Sequence, residues 1–161
     1  MVTKRKPAEP KEVVLTLTNA DLTRVKGKWK EAANSVDSVQ INNLIAFLSA
    51  KERIHFANEL HRVLKSGGKA QIATPHWCSA RAYGDLAFQW PPVSEAWFYH
   101  LNDGWRKANA PWGKGYKCDF DMTLGYGMHP QLVTRNQEYQ QHAMTFWKEA
   151  AQDIIICLIK K

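Results

Sequence analysis

Apolar positions along this chain fall into short β-prone runs on either side of one long segment of helical period. Val13, Val14, Leu15 and Leu17, with threonines between and after, form a first run that Asn19, Ala20 and Asp21 end. Residues 26–34 are polar apart from Gly27 and a lone Trp29, and read as a loop or weak helix. Val36, Val39 and Ile41 make the apolar centre of a second strand that ends at Asn42 and Asn43, and residues 44–48 form an apolar turn leading away from it. Ser49 and Glu52 then supply an S-x-x-E capping box. Over residues 51–65, Phe56, Ala57, Leu60, Val63 and Leu64 share one helical face. Arg53, Asn58, Glu59, Arg62 and Lys65 lie mostly on the other. A helix is expected there, stopped by Gly67 and Gly68.

A third strand is expected over residues 69–74, closed by Pro75. From residue 76 to 109 the pattern changes: Trp77, Tyr83, Phe88, Trp90, Trp97, Phe98, Tyr99 and Trp105 crowd together. The Pro91–Pro92 pair breaks this stretch, and Ser94 is placed to cap a helix running to about Asn102. Residues 118–128 resume as a strand containing Gly125 and Gly127. Tyr139, Ala143, Phe146, Trp147 and Ala150 suggest a returning helix. Residues 154–159, rich in isoleucine, read as a buried final strand. The order β, β, α, β, aromatic excursion, β, α, β points to a mostly parallel α/β sheet. A right-handed crossover would link the strands at 36–41 and 69–74. Those two strands and the one at 154–159, the last antiparallel, should be central.

Composition narrows the class without naming a function. A chain of 161 residues, 45% hydrophobic and 23% charged, fits one globular domain, here residues 12–161, with no run of apolar residues long enough to span a membrane. Residues 1–11 read as a disordered basic tail with no apolar stretch of a secretory signal, so a cytoplasmic location is the default expectation. Cys78, Cys118 and Cys157 are odd in number and include no C-x-x-C pair, which favours free thiols over a metal or redox motif. The formal net charge of +7 owes much to Lys4, Arg5, Lys6 and Lys11, either a solubilising tail or an arm for nucleic acid.

The stretch SVDSVQINNLIAFLSAKERIHFANELHRVLKSGGKAQIATP, residues 35–75, resembles the middle of class I SAM-dependent methyltransferases. Asp37 and Val39 stand where that family has a D-x-V strand. Glu59, Arg62, Val63, Leu64, Lys65, Gly67 and Gly68 match its E-x-x-R-V-L-K-P-G-G turn, with Ser66 in place of proline. The following SARAYGDLAFQWPPVSEAWFYHLNDGWRKANAP is similar to an insertion found after the strand in a subgroup met in phage and environmental sequences. DIIICLIKK is similar to the family's final antiparallel strand. The resemblance covers residues 35–161 and, more loosely, 12–34. It implies a truncated Rossmann-like methyltransferase sheet with an aromatic-rich insertion at about 76–117.

The same resemblance implies a glycine-rich cofactor loop and a ribose-binding acid before residue 35, where this chain has only Gly27. The GKG at 113–115 and the GYG at 125–127 fall in the wrong place and read as turn glycines. S-adenosylmethionine (SAM) is thus the implied cofactor, with weak binding expected from this chain alone. Asp21, Leu22, Asn42 and Asn43, at strand ends, are the candidates to touch it, since ligands of open α/β sheets sit beyond the carboxyl ends of the strands. His76, after the third strand, is the candidate base for an acceptor that must lose a proton, or else a capping residue. Trp77, Arg81, Asp85, Trp90 and Glu95 are candidate acceptor contacts if the aromatic excursion is a lid; otherwise it is a satellite core. The readings left open are a methyltransferase working with a second polypeptide, a non-catalytic binding or regulatory module of that descent, and a nucleic-acid-associated protein. A sheet lacking strands also leaves an edge beside residues 12–41, which the first strand, a homodimer or another partner should cover.

Overall fold

Five strands form one sheet in the computed structural model of the protein, which describes residues 12–161; the basic tail read for residues 1–11 lies outside them. The strands are β1 (Val14–Leu17), β2 (Val36–Asn42), β3 (Leu64–Pro75), β4 (Phe120–Met128) and β5 (Ala151–Lys160), in the order β1-β2-β3-β5-β4. β1, β2 and β3 run parallel, and β5 is antiparallel to both β3 and β4. The three expected central strands are therefore β2, β3 and β5. The first strand lies directly against β2, from Val14 opposite Ser38 to Leu17 opposite Ile41.

Helix α1 (Leu22–Lys26) follows β1, and the crossover from β2 to β3 runs through α2 (Ala50–Val63). Ser49 and Glu52 close the capping box in both directions, at 3.4 and 2.8 Å. The buried face of α2 is Phe56, Ala57, Leu60 and Val63, joined by Arg53. Arg53 corrects the expected polar face: it is 2% exposed, and its guanidinium donates to the carbonyls of Ile45, Gln89 and Pro91. A guanidinium buried among three carbonyls stays satisfied, which the helical period alone does not reveal. Trp29, in the polar loop, is also core, with its ring edge-on to Phe56 at 5.2 Å. Glu59 and Arg62, two residues of the E-x-x-R motif, hold that loop. Glu59 accepts the Trp29 amide, and Arg62 donates to the carbonyls of Trp29 and Glu31.

The two glycines after α2 do not stop it. The helix ends at Val63, and Leu64 is already extended and paired with Val36. Gly67, at φ 74°, and Gly68 lie in the irregularity where the β2–β3 register shifts. A Cβ on Gly68 would meet the backbone oxygens of Lys65 at 2.8 Å and Asp37 at 3.0 Å. Close approach of two backbones, not helix termination, requires glycine there.

β5 also differs from the expected buried run. Ile154, Ile156 and Leu158 are fully buried, whereas Ile155 is 48% exposed. Successive side chains point to opposite faces, and on β5 the face that bears Ile155 is only partly covered. The expected helix from Ser94 to Asn102 is two helices, α3 (Glu95–Tyr99) and α4 (Asp103–Asn109). The Asn102 side chain accepts the Trp105 amide and starts the second. Beyond β4 come α5 (Pro130–Val133) and α6 (Gln137–Phe146), so the returning helix ends before Trp147 and Ala150. Of the aromatic stretch, Phe98 is fully buried and Trp97 packs on the core, while Trp90 remains 78% exposed.

Candidate functional site

The carboxyl end of β3 carries the densest polar cluster near a cleft. His76 follows β3 directly, its amide held by the Gln152 carbonyl at 2.9 Å, and its ring is almost fully buried. Ring Nε2 lies 2.8 Å from Glu95 Oε1, at the start of α3, and the same oxygen accepts the Tyr126 hydroxyl of β4 at 2.8 Å. The other ring nitrogen, Nδ1, lies 3.3 Å from the Cys78 amide, which can only donate. Nδ1 thus faces a donor and Nε2 a carboxylate, the arrangement of an Nε2–H tautomer. Cys78 Sγ sits 2.9 Å from the same Nδ1.

Burial alone would raise the Glu95 carboxyl; its own amide, the Tyr126 hydroxyl and His76 outweigh that and hold it below the ordinary glutamate range. Tyr126 moves the opposite way, raised first by burial and then by Glu95, so it remains a donor at neutral pH. An ionised carboxylate thus sits between two fixed donors. It faces a cleft of about 680 Å³ lined by His76, Tyr126, Met128, Gln140 and Met144 among others. His76 also borders a neighbouring pocket of about 360 Å³ whose walls include Trp77, Cys78, Tyr83, Phe146 and Trp147.

Of the candidates from the sequence, His76, Trp77 and Glu95 come together here. Arg81 lies nearby in an ion pair with Asp153 at 2.6 Å. Asp85 accepts the Ala87 amide in a local turn, and Trp90 lines neither cavity and is largely exposed. Tyr126 and Cys78 were not singled out by sequence reasoning. A Cβ on Gly127 would come within 3.3 Å of the Asp153 side chain, whereas one on Gly125 would make ordinary contact at 3.7 Å, so the glycine pair singles out neither residue.

The candidates for SAM lie at the ends of β1 and β2. A seat there needs a carboxylate free for the ribose hydroxyls and backbone open to close approach. Asp21 accepts the Thr18 amide at 2.9 Å in a capping box, with Arg24 beside it. Leu22 packs on the core. Asn42 is exposed, and Asn43, at φ 54°, turns its amide to the Ala73 carbonyl. Leu44, Ile45 and Leu48 fill the space behind them, fully buried. Among the described residues no group of three or more histidine, cysteine, aspartate or glutamate side chains could hold a metal ion, and no helix is long and apolar enough to cross a membrane.

The sheet order, the antiparallel β5 and the α2 crossover define the Rossmann-like fold of class I SAM-dependent methyltransferases. Solved structures of that fold include a SAM-dependent methyltransferase from Archaeoglobus fulgidus, 13% identical over 81% of this chain and 62% of that one, with a TM-score of 0.57. Another, from Thermotoga maritima, is 15% identical over 85% and 61%, with a TM-score of 0.51. A third is the methyltransferase complex with the Trm112 activator of Haloferax volcanii, 14% identical over 84% and 58%, at 0.52. This chain thus spans about three fifths of the length of these structures. No protein-family model matches the sequence, and no curated protein does.

Proposed function

We propose that residues 12–161 form the acceptor-binding part of a SAM-dependent methyltransferase, with the cofactor grip supplied from outside these residues. The observation that carries this reading is the contrast between two rims of one sheet. At the end of β3, Glu95 is held ionised by His76 and Tyr126 beside an open cleft. At the ends of β1 and β2, the Asp21 carboxylate is taken up by a capping box and the Asn43 backbone amide by Ala73, and the Asn42 and Asn43 side chains lie exposed on the surface. Glu95 Oε1 already accepts two hydrogen bonds, and the carboxylate suits an acceptor that presents an N–H or O–H. Gln137 and Gln141 line the same cleft and offer amides of either polarity, while the Gln140 amide nitrogen is held by the carbonyls of Leu132, Val133 and Arg135. The fold's likeness to methyltransferases supports the reaction class.

Calorimetry with S-adenosylhomocysteine on the purified chain tests this. Loss of two charge-assisted hydrogen bonds, about 1.5–3 kcal/mol each, weakens a micromolar site by roughly two to four powers of ten. The expected dissociation constant is about 0.1 mM or weaker. Micromolar binding by the chain alone would overturn the division of labour proposed here.

A further inference from the structure

We propose that Cys78 is a nucleophilic thiol, activated by His76 and Glu95, that captures small aromatic carbon electrophiles in the pocket walled by Trp77, Tyr83, Phe146 and Trp147. This inference does not depend on the methyltransferase reading. It rests on a chain of three contacts. The Cys78 sulfur lies 2.9 Å from His76 Nδ1, which the Cys78 amide also approaches at 3.3 Å, and 3.5 Å from the Ala151 carbonyl. His76 Nε2 lies 2.8 Å from Glu95, which Tyr126 holds from its other side. A nucleophile, a base and a group that orients the base, each within hydrogen-bond reach, is the arrangement that activates thiols. The base is pre-set in the correct tautomer, because Glu95 fixes Nε2–H and leaves Nδ1 facing the sulfur.

The surroundings decide what can reach it. The pocket of about 360 Å³ opens beside Cys78, and its walls are aromatic with Lys148 at one edge. Flat, apolar ligands suit such walls. In the reaction, the thiol proton passes to Nδ1 as sulfur bonds to carbon. With an alkyl halide, the carbon–halogen bond breaks and halide leaves, and the imidazolium returns its proton to solvent. With a maleimide, the carbon–carbon π bond breaks and the proton ends on the adjacent carbon. The ionised Glu95 offsets the transient imidazolium charge. The other titratable groups facing this cluster are Tyr126 on β4, Lys148 at the pocket edge, Glu149 bonded to Ser79, and the Arg81–Asp153 pair.

The other two cysteines are internal controls: Cys157 is partly exposed and Cys118 buried. The full chain is treated with substoichiometric iodoacetamide, and labelling at each cysteine is followed by mass spectrometry across pH. Cys78 should label at least tenfold faster than Cys157. Glu95→Gln, which keeps the side-chain shape, should slow Cys78 at least tenfold while leaving Cys157 unchanged, and should shift the pH profile of the Cys78 rate alone. N-phenylmaleimide should gain over N-ethylmaleimide at Cys78 relative to free cysteine. Labelling of wild-type Cys78 no faster than Cys157 would refute the proposal, whether or not the variant folds. So would a folded Glu95→Gln protein with an unchanged rate and profile. Neither result bears on S-adenosylhomocysteine affinity, so the two readings fail separately.

Discussion

Two charged residues on α2 are structural where their type suggested a solvated surface. Arg53 is charged yet buried; burial, its largest influence, draws its pKa down to about 10, still well above neutrality. Its worth lies in the three carbonyls it satisfies. Arg53→Met keeps the volume but leaves those carbonyls unpaired, at about 1–3 kcal/mol for each one that water cannot reach. Thermal melts should therefore show a clear loss of stability in this variant. Glu59 is held below the ordinary glutamate range, chiefly by its hydrogen bonds from Arg62, with the Trp29 amide adding to them against the effect of burial. A carboxyl whose folded pKa is depressed stabilises the fold fully above its unfolded value, near ~4.3, and loses that contribution as pH falls through the folded value. Glu59→Gln should cost about 1.5–3 kcal/mol at pH 7. Urea titrations should show the gap between variant and wild type closing below about pH 4.

At the scale of elements, α2 and its turn were the most legible part of the sequence. Capping residues and an apolar face at helical spacing are local signals, and both Ser49 and Phe56 behave as read. The glycines that follow were legible as a special turn but not as a bulge, since their requirement comes from β2 across the sheet. Gly67→Ala should cost about 1–2 kcal/mol for its left-handed backbone. Gly68→Ala should cost more, because its obstacles are two backbone oxygens that cannot swing aside. Chemical denaturation of the two variants side by side would expose the wrong order if the bulge were pliable. In β5 the isoleucine run hid an alternation, because β-branched residues on both faces erase the period that betrays a half-covered strand. Ile156→Asp buries an unpaired charge and should abolish the cooperative melt. Ile155→Asp, on the exposed side, should retain one.

For the molecule as a whole, the α/β class and the central strands could be read because strand and helix periods alternate in order. The candidate site could not, because it gathers His76 with Glu95, 19 residues on, and Glu95 with Tyr126, 31 residues further. No spacing rule joins a residue after β3 to one on β4, two positions across the sheet with antiparallel β5 between them. His76 was picked out by its place at a strand end. Its partners were fixed by the way β4 and α3 pack around it.

β5 is the last strand in chain order, yet it lies inside the sheet, hydrogen-bonded to β3 on one side and β4 on the other. During synthesis on the ribosome, β1, β2, α2 and β3 can assemble as they emerge, while β4 has no partner and β3 shows a bare flank until residues 151–160 leave the exit tunnel. The nascent chain should therefore acquire protease resistance around β4 in a single late step, after the β1–β3 part is already protected. Stalled chains carrying a C-terminal linker long enough to fill the exit tunnel, probed by brief proteolysis, should stay digestible in the β4 region when their protein part ends at Ala150 and become protected when it ends at Lys160. A gradual gain of protection across intermediate lengths would show that β4 docks without its neighbour. In the cell that interval is when a holding chaperone matters most to this protein, because the flank awaiting β5 is also the one on which a foreign strand could settle.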